Sequence, residues 1–312
     1  MSRYLAGRVV QFVIVVAGSL LLVFVALHIV ADPARSLLPL GTPEEVIREF
    51  RSSLGLDDPF VEQLWHFVTH AVRGDFGRSV WIGGDALEHA VSRIPATLMI
   101  ALPATLLGGG MGVYLGSVSS RRPEAPLSQA LNVVSYLAMS VAEFWVGIMA
   151  ILIFAVQLRW LPTGGFDPKP SVLVLPVIVL SLRPFAQTLQ LTRATMIAER
   201  SKQYVMTARA KGLTEAQVSR QHMLRNAAIP IVTLGLYQLS RVFIGTAIIV
   251  EVVFAWPGIG RLAVEALNQG DVYLVEATVA VGAIGTALLN LFADLLYFRL
   301  DPRTRSLVRG NR

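Results

Sequence analysis

The chain has 312 residues, of which 54% are hydrophobic and 15% charged, and its formal net charge is +6. Soluble domains carry about 25% charged residues, so this composition indicates a membrane protein and argues against a soluble enzyme. The sequence contains no cysteine, which excludes disulfide bonds, thiolate metal sites and cysteine nucleophiles.

Six apolar segments are long enough to cross a membrane as helices, which takes roughly 20 residues for about 30 Å of hydrocarbon. They cover residues 9–31, 95–118, 132–157, 172–195, 228–254 and 274–298. Arg3 and Arg8 precede the first segment, as in a signal peptide, but its apolar run exceeds the usual length of roughly 7–15 residues. We therefore expect an all-α membrane protein with six transmembrane helices, the first of which is retained within residues 1–31.

Lysine and arginine are distributed unevenly between the two sides of the predicted membrane. Residues 1–8, 119–131, 193–228 and 299–312 hold 16 of these cations, whereas the segments on the other side hold nine. Since basic residues mark the loops that stay in the cytoplasm, both termini and the 193–228 segment are predicted to be cytoplasmic. This distribution accounts for the positive net charge without nucleic-acid binding.

The loop over residues 32–94 is predicted to be extracytoplasmic and helical. Thr42 is a candidate N-cap, Pro43 suits the first helical position, and Glu45 completes a capping box. This helix should end near Gly55. We expect it to lie on or near the membrane surface, either as a lid over the helix bundle or as a contact surface for a partner.

A second helix in the same loop is bounded by Asp58 and Pro59 at its start and by Gly74 at its end. His66 and His70 are four residues apart on this helix, a spacing that can hold a metal ion. No third histidine lies nearby in the sequence. We therefore interpret the two histidines as a surface pair and predict no metal site.

The polar stretch 199–228 separates two apolar segments and is rich in helix formers. Gly212 is a natural helix stop, and Thr214 with Gln217 predicts a capping box for a second short helix. A DNA-reading helix–turn–helix is one interpretation, but both ends are tethered to spans, and a compact knob that docks into another protein fits better. The chain has no nucleotide-binding glycine motif, so any ATP energy must come from another polypeptide.

Ionisable residues inside the predicted spans are costly and are candidate functional groups. They are Glu143, Arg183, Arg241, Glu251, Glu276 and Asp294. Either these charges line a pathway through the membrane, or they pair with one another or with a partner subunit as structural ties. Arg183 precedes Pro184, where the helix is expected to kink or break, whereas Glu251 and Asp294 lie near span ends and are expected to reach water.

Seven short motifs occur in order along the chain. Six of them are "LGLDDPFVEQ", "GDFGRSV", "RIPATL", "WLPTGG", "FAWPGIGRLAVEAL" and "DLLYFRLDPRTR". The seventh, "YVMTARAKGL…HMLRNAAIP", lies in the basic stretch and is similar to the EAA loop of ABC importer permeases. Together they resemble the dipeptide/oligopeptide/nickel branch of that family. The resemblance implies the first, B-type permease, with a type I ABC importer transmembrane domain over residues 95–298 and a cytoplasmic tail over 299–312.

The resemblance also implies a set of partners in the bacterial cytoplasmic (inner) membrane. The chain would be a non-catalytic subunit that pairs with a second permease as a heterodimer. Two ATP-binding cassette subunits would dock on it and use ATP and Mg, and an extracytoplasmic substrate-binding protein would deliver the solute. No cofactor would be bound by this chain itself.

Coupling to the ATPases is implied for the loop over residues 204–224. The contact residues that the resemblance implies are Ala208, Arg209, Ala210, Lys211, Gly212, Leu213, Thr214 and Glu215. Small side chains there allow a close backbone approach, and the charged ones are available to pair with charges of the ATPase. The loop departs from the family pattern at Met206 and Thr207, where a glutamate is expected, and at Arg225, where a proline is expected.

The candidates for lining the translocation pathway are Glu143, Arg183, Arg241 and Glu251. Glu143 stands where the family more often has a proline or a small residue, so it is expected to tune which solute passes. We expect that solute to be a di- or oligopeptide, with nickel chelates, glutathione and opine-like compounds as alternatives.

An ion-driven secondary transporter is the alternative from a different class, although the chain lacks the internal repeat that such folds often show. An intramembrane enzyme is disfavoured because the spans carry no HExxH or GxSxG motif.

Overall fold

The structure, a computed structural model, describes residues 2–30, 38, 41–53, 57–167 and 169–300. Within these ranges the chain is helical and contains no strand beyond a single bridge between Arg78 and Asp85. The first eight helices are α1 (Ser2–Val30), α2 (Glu44–Ser53), α3 (Phe60–Arg73), α4 (Ala86–Ser92), α5 (Ile94–Arg121), α6 (Pro126–Ser140), α7 (Glu143–Ala150) and α8 (Ser171–Glu199). The others are α9 (Gln203–Ala210), α10 (Glu215–Gln217), α11 (Leu224–Arg241), α12 (Ala247–Val253), α13 (Ile259–Asn268) and α14 (Val272–Leu300).

Four helical stretches of the described chain are long and apolar enough to cross a membrane. They are Gly7–Leu27, Ala86–Arg121, Ser171–Glu199 and Val272–Leu296, and a bent helix pair makes a possible fifth. The fifth predicted span, 228–254, is not in this set. It is nevertheless helical along its length, because the π-helical segment Val242–Thr246 joins α11 to α12.

The third predicted span, 132–157, is two helices rather than one. Helices α6 and α7 meet at an angle of 101°, and α7 continues into the π-helical segment Ile151–Gln157. The backbone of Val141 and Ala142 is extended, with ψ angles of 136° and 130°. Two extended residues interrupt the i→i−4 hydrogen-bond ladder, so the chain changes direction there.

Helices α5 and α8 run parallel and approach each other closely through a stripe of glycines on α5. A Cβ added to Gly112 would lie 2.7 Å from the Phe185 carbonyl oxygen, and one added to Gly116 would lie 2.8 Å from that of Leu189. Such distances exclude any side chain. The small-xxx-small spacing allows the tight packing that holds membrane helices together. A kink or a break is expected at Pro184; helix α8 continues through this residue, so the chain is not broken there.

The segment between the first two spans contains α2 and α3, as predicted. Helix α3 ends at Gly74, whose φ of 76° is the left-handed conformation expected of a glycine cap. Its start differs from the prediction: Pro59 occupies the N-cap position and no side chain caps the helix, so Asp58 does not cap it. The Phe67 ring of α3 stacks on Phe24 of α1 at 4.9 Å. The predicted end of α2 at Gly55 lies outside the described residues.

Candidate functional site

The basic loop, residues 199–228, has the two-helix shape expected from its sequence. Helix α9 ends at Ala210, and Gly212 makes the turn with a φ of 84°. Thr214 and Gln217 then form the predicted capping box, in which the Thr214 backbone N–H donates to Gln217 Oε1 at 2.9 Å. The turn is therefore built by the chain's own groups.

A small apolar core holds the basic loop in shape. Its buried members are Met196, Val205, Ala208, Val218, Met223, Ala227 and Ile231. Ala208 is only 4% exposed, so its methyl group packs inside the loop and does not lie on the surface expected for a contact residue. Its small size is required by this packing between α9 and the start of α11.

Two charged residues of the basic loop form an ion pair with each other. Arg209 donates to both carboxylate oxygens of Glu215, from Nε at 2.7 Å and from a terminal nitrogen at 3.3 Å. This hydrogen bond lowers the pKa of Glu215 from its ordinary value. Arg209 and Glu215 were expected to pair with charges of the ATPase, but in the structure they pair with each other. Lys211, the third charged residue of the predicted contact set, is exposed and has no ion pair among the described residues.

A second internal contact lies at the base of the basic loop. The Glu199 carboxylate accepts hydrogen bonds from Lys202 Nζ and the Tyr204 hydroxyl. Burial raises the pKa of Tyr204, and the bond to Glu199 raises it further. These contacts connect the end of α8 to the start of α9, so the loop and the long helix form one packed unit.

The tip of the basic loop, residues 206–217, is mixed in character. Its exposed members are Met206, Thr207, Ala210, Lys211, Gly212, Thr214, Glu215, Ala216 and Gln217, with Leu213 half-buried. Met206 is 60% exposed. The flexible, polarizable side chain of a methionine adapts to the surface of a partner.

The intramembrane charges Glu143 and Arg183 form an ion pair. Arg183 Nε on α8 donates to Glu143 Oε1 at 2.8 Å, and Glu143 occupies the first turn of α7, just after the 101° bend. Glu143 is only 8% exposed, and its second oxygen, Oε2, is buried without a hydrogen-bond partner. A further polar contact joins α8 to α6, where Gln190 donates to Asn132 Oδ1 at 2.8 Å.

Glu251 does not line a pathway or reach water, contrary to both expectations. It is fully buried. Its Oε1 accepts a hydrogen bond from Thr97 Oγ1 at 2.6 Å, and its Oε2 accepts one from the Arg261 backbone N–H at 3.0 Å. A Cβ at Gly258 would overlap the carboxylate. The "RIPATL" and "FAWPGIGRLAVEAL" motifs thus meet at this acid.

The "WLPTGG" motif joins the same region. The Gly165 backbone N–H donates to the Phe254 carbonyl oxygen at 2.8 Å, and the Trp256 indole N–H donates to the Ala96 carbonyl oxygen at 2.8 Å. A Cβ at Gly164 would overlap the Phe254 carbonyl group. Three motifs that are far apart in sequence therefore have a packing role at the end of the bundle opposite the basic loop.

The other intramembrane charges have separate surroundings. Arg241 is exposed and lies over the Tyr237 ring, 5.9 Å from its centroid. Asp294 forms an ion pair with Arg8, whose terminal nitrogen Nη2 lies 3.1 Å from Asp294 Oδ1. Glu276 is buried on α14. Among the described residues, neither Arg241 nor Glu251 contacts the Glu143–Arg183 pair, so the four predicted pathway residues do not form one cluster.

Asp271 was missed by the sequence analysis. It is 1% exposed. Its Oδ2 accepts hydrogen bonds from Ser79 Oγ and from the backbone N–H groups of Val80 and Trp81, at 2.5, 3.0 and 3.1 Å, and its Oδ1 accepts one from the Leu274 backbone N–H at 3.1 Å. The signal for it is the Gly-Asp pair just before an apolar run, which is a helix-start pattern.

The histidine pair of α3 is engaged in a local contact. His70 Nδ1 contacts the His66 carbonyl oxygen at 2.8 Å, which occupies one ring nitrogen. No group of three or more potential ligands for a metal ion occurs among the described residues.

Comparison with known proteins gives consistent similarities. Residues 108–306 match the family model described as binding-protein-dependent transport system inner membrane component. The chain is 31% identical to the oligopeptide transport system permease protein AppB of Bacillus subtilis, over 97% of this chain and 99% of that protein. It is 34% identical to the glutathione transport system permease protein GsiC of Escherichia coli K12, over 98% of this chain and 99% of that protein.

Among solved structures, the chain is similar to a chain of the MetNI methionine ABC transporter in inward-facing conformations. The TM-score is 0.54 at 16% sequence identity, and the match covers 68% of this chain and 95% of that chain. This likeness concerns the fold, which is that of a type I ABC importer transmembrane domain.

Proposed function

The chain belongs to the family of binding-protein-dependent transport system inner membrane components, the transmembrane subunits of ABC importers, and on that premise we propose that it forms half of a pathway for di- or oligopeptides. The loop over residues 204–224 couples the chain to ATP-binding cassette subunits, which hydrolyse ATP with Mg. A second permease completes the pathway, and an extracytoplasmic binding protein delivers the solute. Both termini lie in the cytoplasm.

The observation that carries the coupling proposal is the construction of the basic loop. Its turn is closed by the Arg209–Glu215 pair and the Thr214–Gln217 capping box, while Met206 and Lys211 protrude. A surface whose shape is set before the partner arrives loses little conformational entropy on binding. The loop also packs on the end of α8 through Met196, so a pull on the loop is transmitted to a span.

Coupling then follows from rigid-body movement. Closure of the ATPase dimer draws the loops of the two permeases together, and α8 moves with its loop. The glycine stripe of α5 packs directly on the α8 backbone, so α5 moves with α8. The paired spans expose the pathway to the side of the binding protein, and hydrolysis reverses the movement.

Peptide is the solute class that we propose. The oligopeptide permease of Bacillus subtilis is 31% identical to this chain over nearly its whole length, which supports a peptide substrate. A glutathione permease is 34% identical, and glutathione is itself a small peptide with free carboxylates. Nickel chelates and opine-like solutes are the alternatives within the same machine.

Affinity purification of the chain from its native membrane in a gentle detergent tests the coupling surface. The loop variant carries Met206→Asp and Lys211→Glu, both at exposed positions. The control carries Arg122→Glu, a charge reversal at an exposed position at the end of α5. We expect a second permease and an ATPase pair to co-purify with wild type and control. The ATPases should fall at least several-fold in the loop variant while the second permease is retained.

Two outcomes contradict the proposal. If the loop variant retains its ATPases as well as the control does, the basic loop is not the docking surface. If no ATPase accompanies any of the three proteins, an ion-driven carrier becomes the function to test. Uptake that collapses with the ion gradient and survives ATP depletion would support that carrier.

A further inference from the structure

The Glu143–Arg183 pair lies deep within the predicted membrane region. Arg183 is the thirteenth of the 29 residues of α8. At about 1.5 Å of rise per residue, it is roughly 18 Å from one end of this helix and 24 Å from the other. A charged side chain in the middle of a span carries a large desolvation cost and marks a functional site by default.

The pair leaves hydrogen-bonding capacity unused. Arg183 bonds to Glu143 through Nε alone, and no described residue accepts from its two terminal nitrogens. The side chain of Arg183 is 33% exposed, so the rest of the described chain does not fully cover it. Glu143 Oε2 has no partner although it is buried. Unpaired buried polar groups are costly, so the unused donors and acceptor are suited to a ligand.

The backbone at the pair supports the same conclusion. Glu143 directly follows the extended residues Val141 and Ala142 at the 101° bend. Interrupted helices at membrane depth are tolerated where they are buried in protein or line a water-filled cavity. The partial exposure of Arg183 beside this break is what a residue that lines such a cavity requires.

We propose that the Glu143–Arg183 pair is a solute-contact site in the pathway, at which the terminal nitrogens of Arg183 bind a carboxylate of the passing peptide. The planar guanidinium matches a carboxylate through two parallel hydrogen bonds. Glu143 is a positioning residue: its Oε1 holds Nε, which turns the free edge of the guanidinium outward. This inference rests on the proposed peptide import and adds the chemical group that the membrane subunit recognises.

The pair of variants Arg183→Gln and Glu143→Gln separates recognition from structure. The complete transporter, with its partner permease, ATPases and binding protein, is reconstituted into proteoliposomes. Uptake of a dipeptide with a free C-terminus is compared with uptake of its C-terminal amide. Any preference of the binding protein is the same for every variant, so a change in the free-acid to amide ratio of kcat/KM reports on this chain.

The two variants should shift that ratio in opposite directions. Arg183→Gln removes the charge that binds the carboxylate, so the preference for the free acid should fall roughly tenfold or more, the scale of a lost charged hydrogen bond. Arg183→Lys should restore part of the preference. Glu143→Gln removes the competing negative charge while keeping a group of the same shape, so the preference should rise several-fold, mainly through a lower KM. Gln190→Ala, at another contact of α8, should leave the ratio unchanged.

Different failures have different meanings. If Arg183→Gln and Glu143→Gln lower the uptake of both peptides equally, the pair is a structural tie and the inference is wrong, while peptide import stands. If the transporter with Arg183→Gln fails to assemble, the free-acid to amide ratio of the Arg183→Lys and Glu143→Gln variants tests the inference instead. If wild type imports neither peptide with ATP, the proposed function fails and this inference fails with it.

Discussion

The acids at the two ends of the helix bundle are held in opposite ways. At the end opposite the basic loop, Glu251 and Asp271 are buried, and their oxygens are bound by hydroxyl and backbone N–H groups. In the basic loop, Glu215 is exposed and bound by the Arg209 guanidinium six residues away. The first pattern joins segments that are distant in sequence, and the second shapes a local turn.

This difference separates a structural role from an interaction role. When one partner of a buried hydrogen bond is removed, the group that remains is left unpaired and its full desolvation penalty lowers the stability of the fold. An exposed ion pair contributes about 0–1 kcal/mol. Substitutions at the buried acids should therefore act on folding, whereas substitutions at the exposed charges of the basic loop should act on assembly with the ATPases and barely on folding.

The largest effect is expected for Asp271→Ala. The substitution leaves the Ser79 hydroxyl and three backbone N–H groups without their acceptor. The bonds from the Ser79 hydroxyl and the Leu274 N–H are buried, and each buried group left unsatisfied costs about 1–3 kcal/mol, so the free energy of unfolding should fall by about 3 kcal/mol or more. Thermal unfolding of the purified chain in detergent measures it.

Asp75→Ala is the matched control for this prediction. Asp75 is exposed and accepts one hydrogen bond, from the Gly77 backbone N–H at 3.0 Å, so it should cost well under half as much. If the two variants lost equal free energies of unfolding, burial would not explain how much Asp271 stabilises the fold. The contrast between the buried acids and the exposed acid of the basic loop would then be wrong.

An intermediate effect is expected when one glycine at each end is replaced by alanine. At Gly258 the backbone is extended, and the added Cβ overlaps the Glu251 carboxylate, so the cost is overpacking of about 1–3 kcal/mol. At Gly212 the added Cβ meets nothing within 4 Å, and the cost arises from the φ of 84° alone, about 1 kcal/mol.

One further variant for each glycine tests whether the cost comes from the clash at Gly258 and from the backbone conformation at Gly212. Gly258→Ala combined with Glu251→Ala should recover part of the overpacking cost, because the overlapping group is gone. Gly212→Asn should be better tolerated than Gly212→Ala, because asparagine adopts the left-handed conformation more readily. Melting temperatures in detergent measure all four variants, and no recovery in the double variant would contradict a clash with the carboxylate.

The smallest effect is expected for the Arg209–Glu215 pair. A double-mutant cycle with Arg209→Ala and Glu215→Ala should give a coupling free energy below about 1 kcal/mol, since Glu215 is exposed and Arg209 is partly exposed. The lowered pKa of Glu215 sets the pH dependence of this coupling. It should be fully present above the ordinary carboxyl value of 4.5 and be lost as the pH falls through the lower folded-state value.

Unfolding of the four proteins of the cycle at pH 7 and pH 4 measures that dependence. The same proteins should differ far more in the ATPase that co-purifies than in stability. A coupling of several kcal/mol at pH 7 would remove the distinction between the two ends, because the pair would then be a folding element.

Local features of the sequence predicted the basic loop well. The turn at Gly212 and the Thr214–Gln217 capping box are as expected, because both depend on residues within a few positions of each other. The failures lie where the partners are distant. Ala208 has the small side chain of a surface contact, but the fold packs it against Val218 and Met223, and no local pattern distinguishes these uses.

The bend at Val141 and Ala142 is the clearest failure of local reasoning about the fold. The segment 132–157 has the apolar length of one span and contains neither proline nor a glycine at the break. Its glutamate, Glu143, was read as an unusual charge within a helix. Its position at the start of α7, paired with Arg183 on α8, follows only from the packing of the two helices.

The sequence by itself determined the positions of the apolar segments, the short turns of the basic loop and the family, because each of these depends on composition or on neighbours along the chain. The tertiary structure alone decided which charges are paired. Thr97 and Glu251 are 154 residues apart, and Ser79 and Asp271 are 192 apart. A carboxylate in an apolar run looks the same whether it lines a cavity or accepts a buried hydroxyl, since its partners are brought to it only by the packing of other helices.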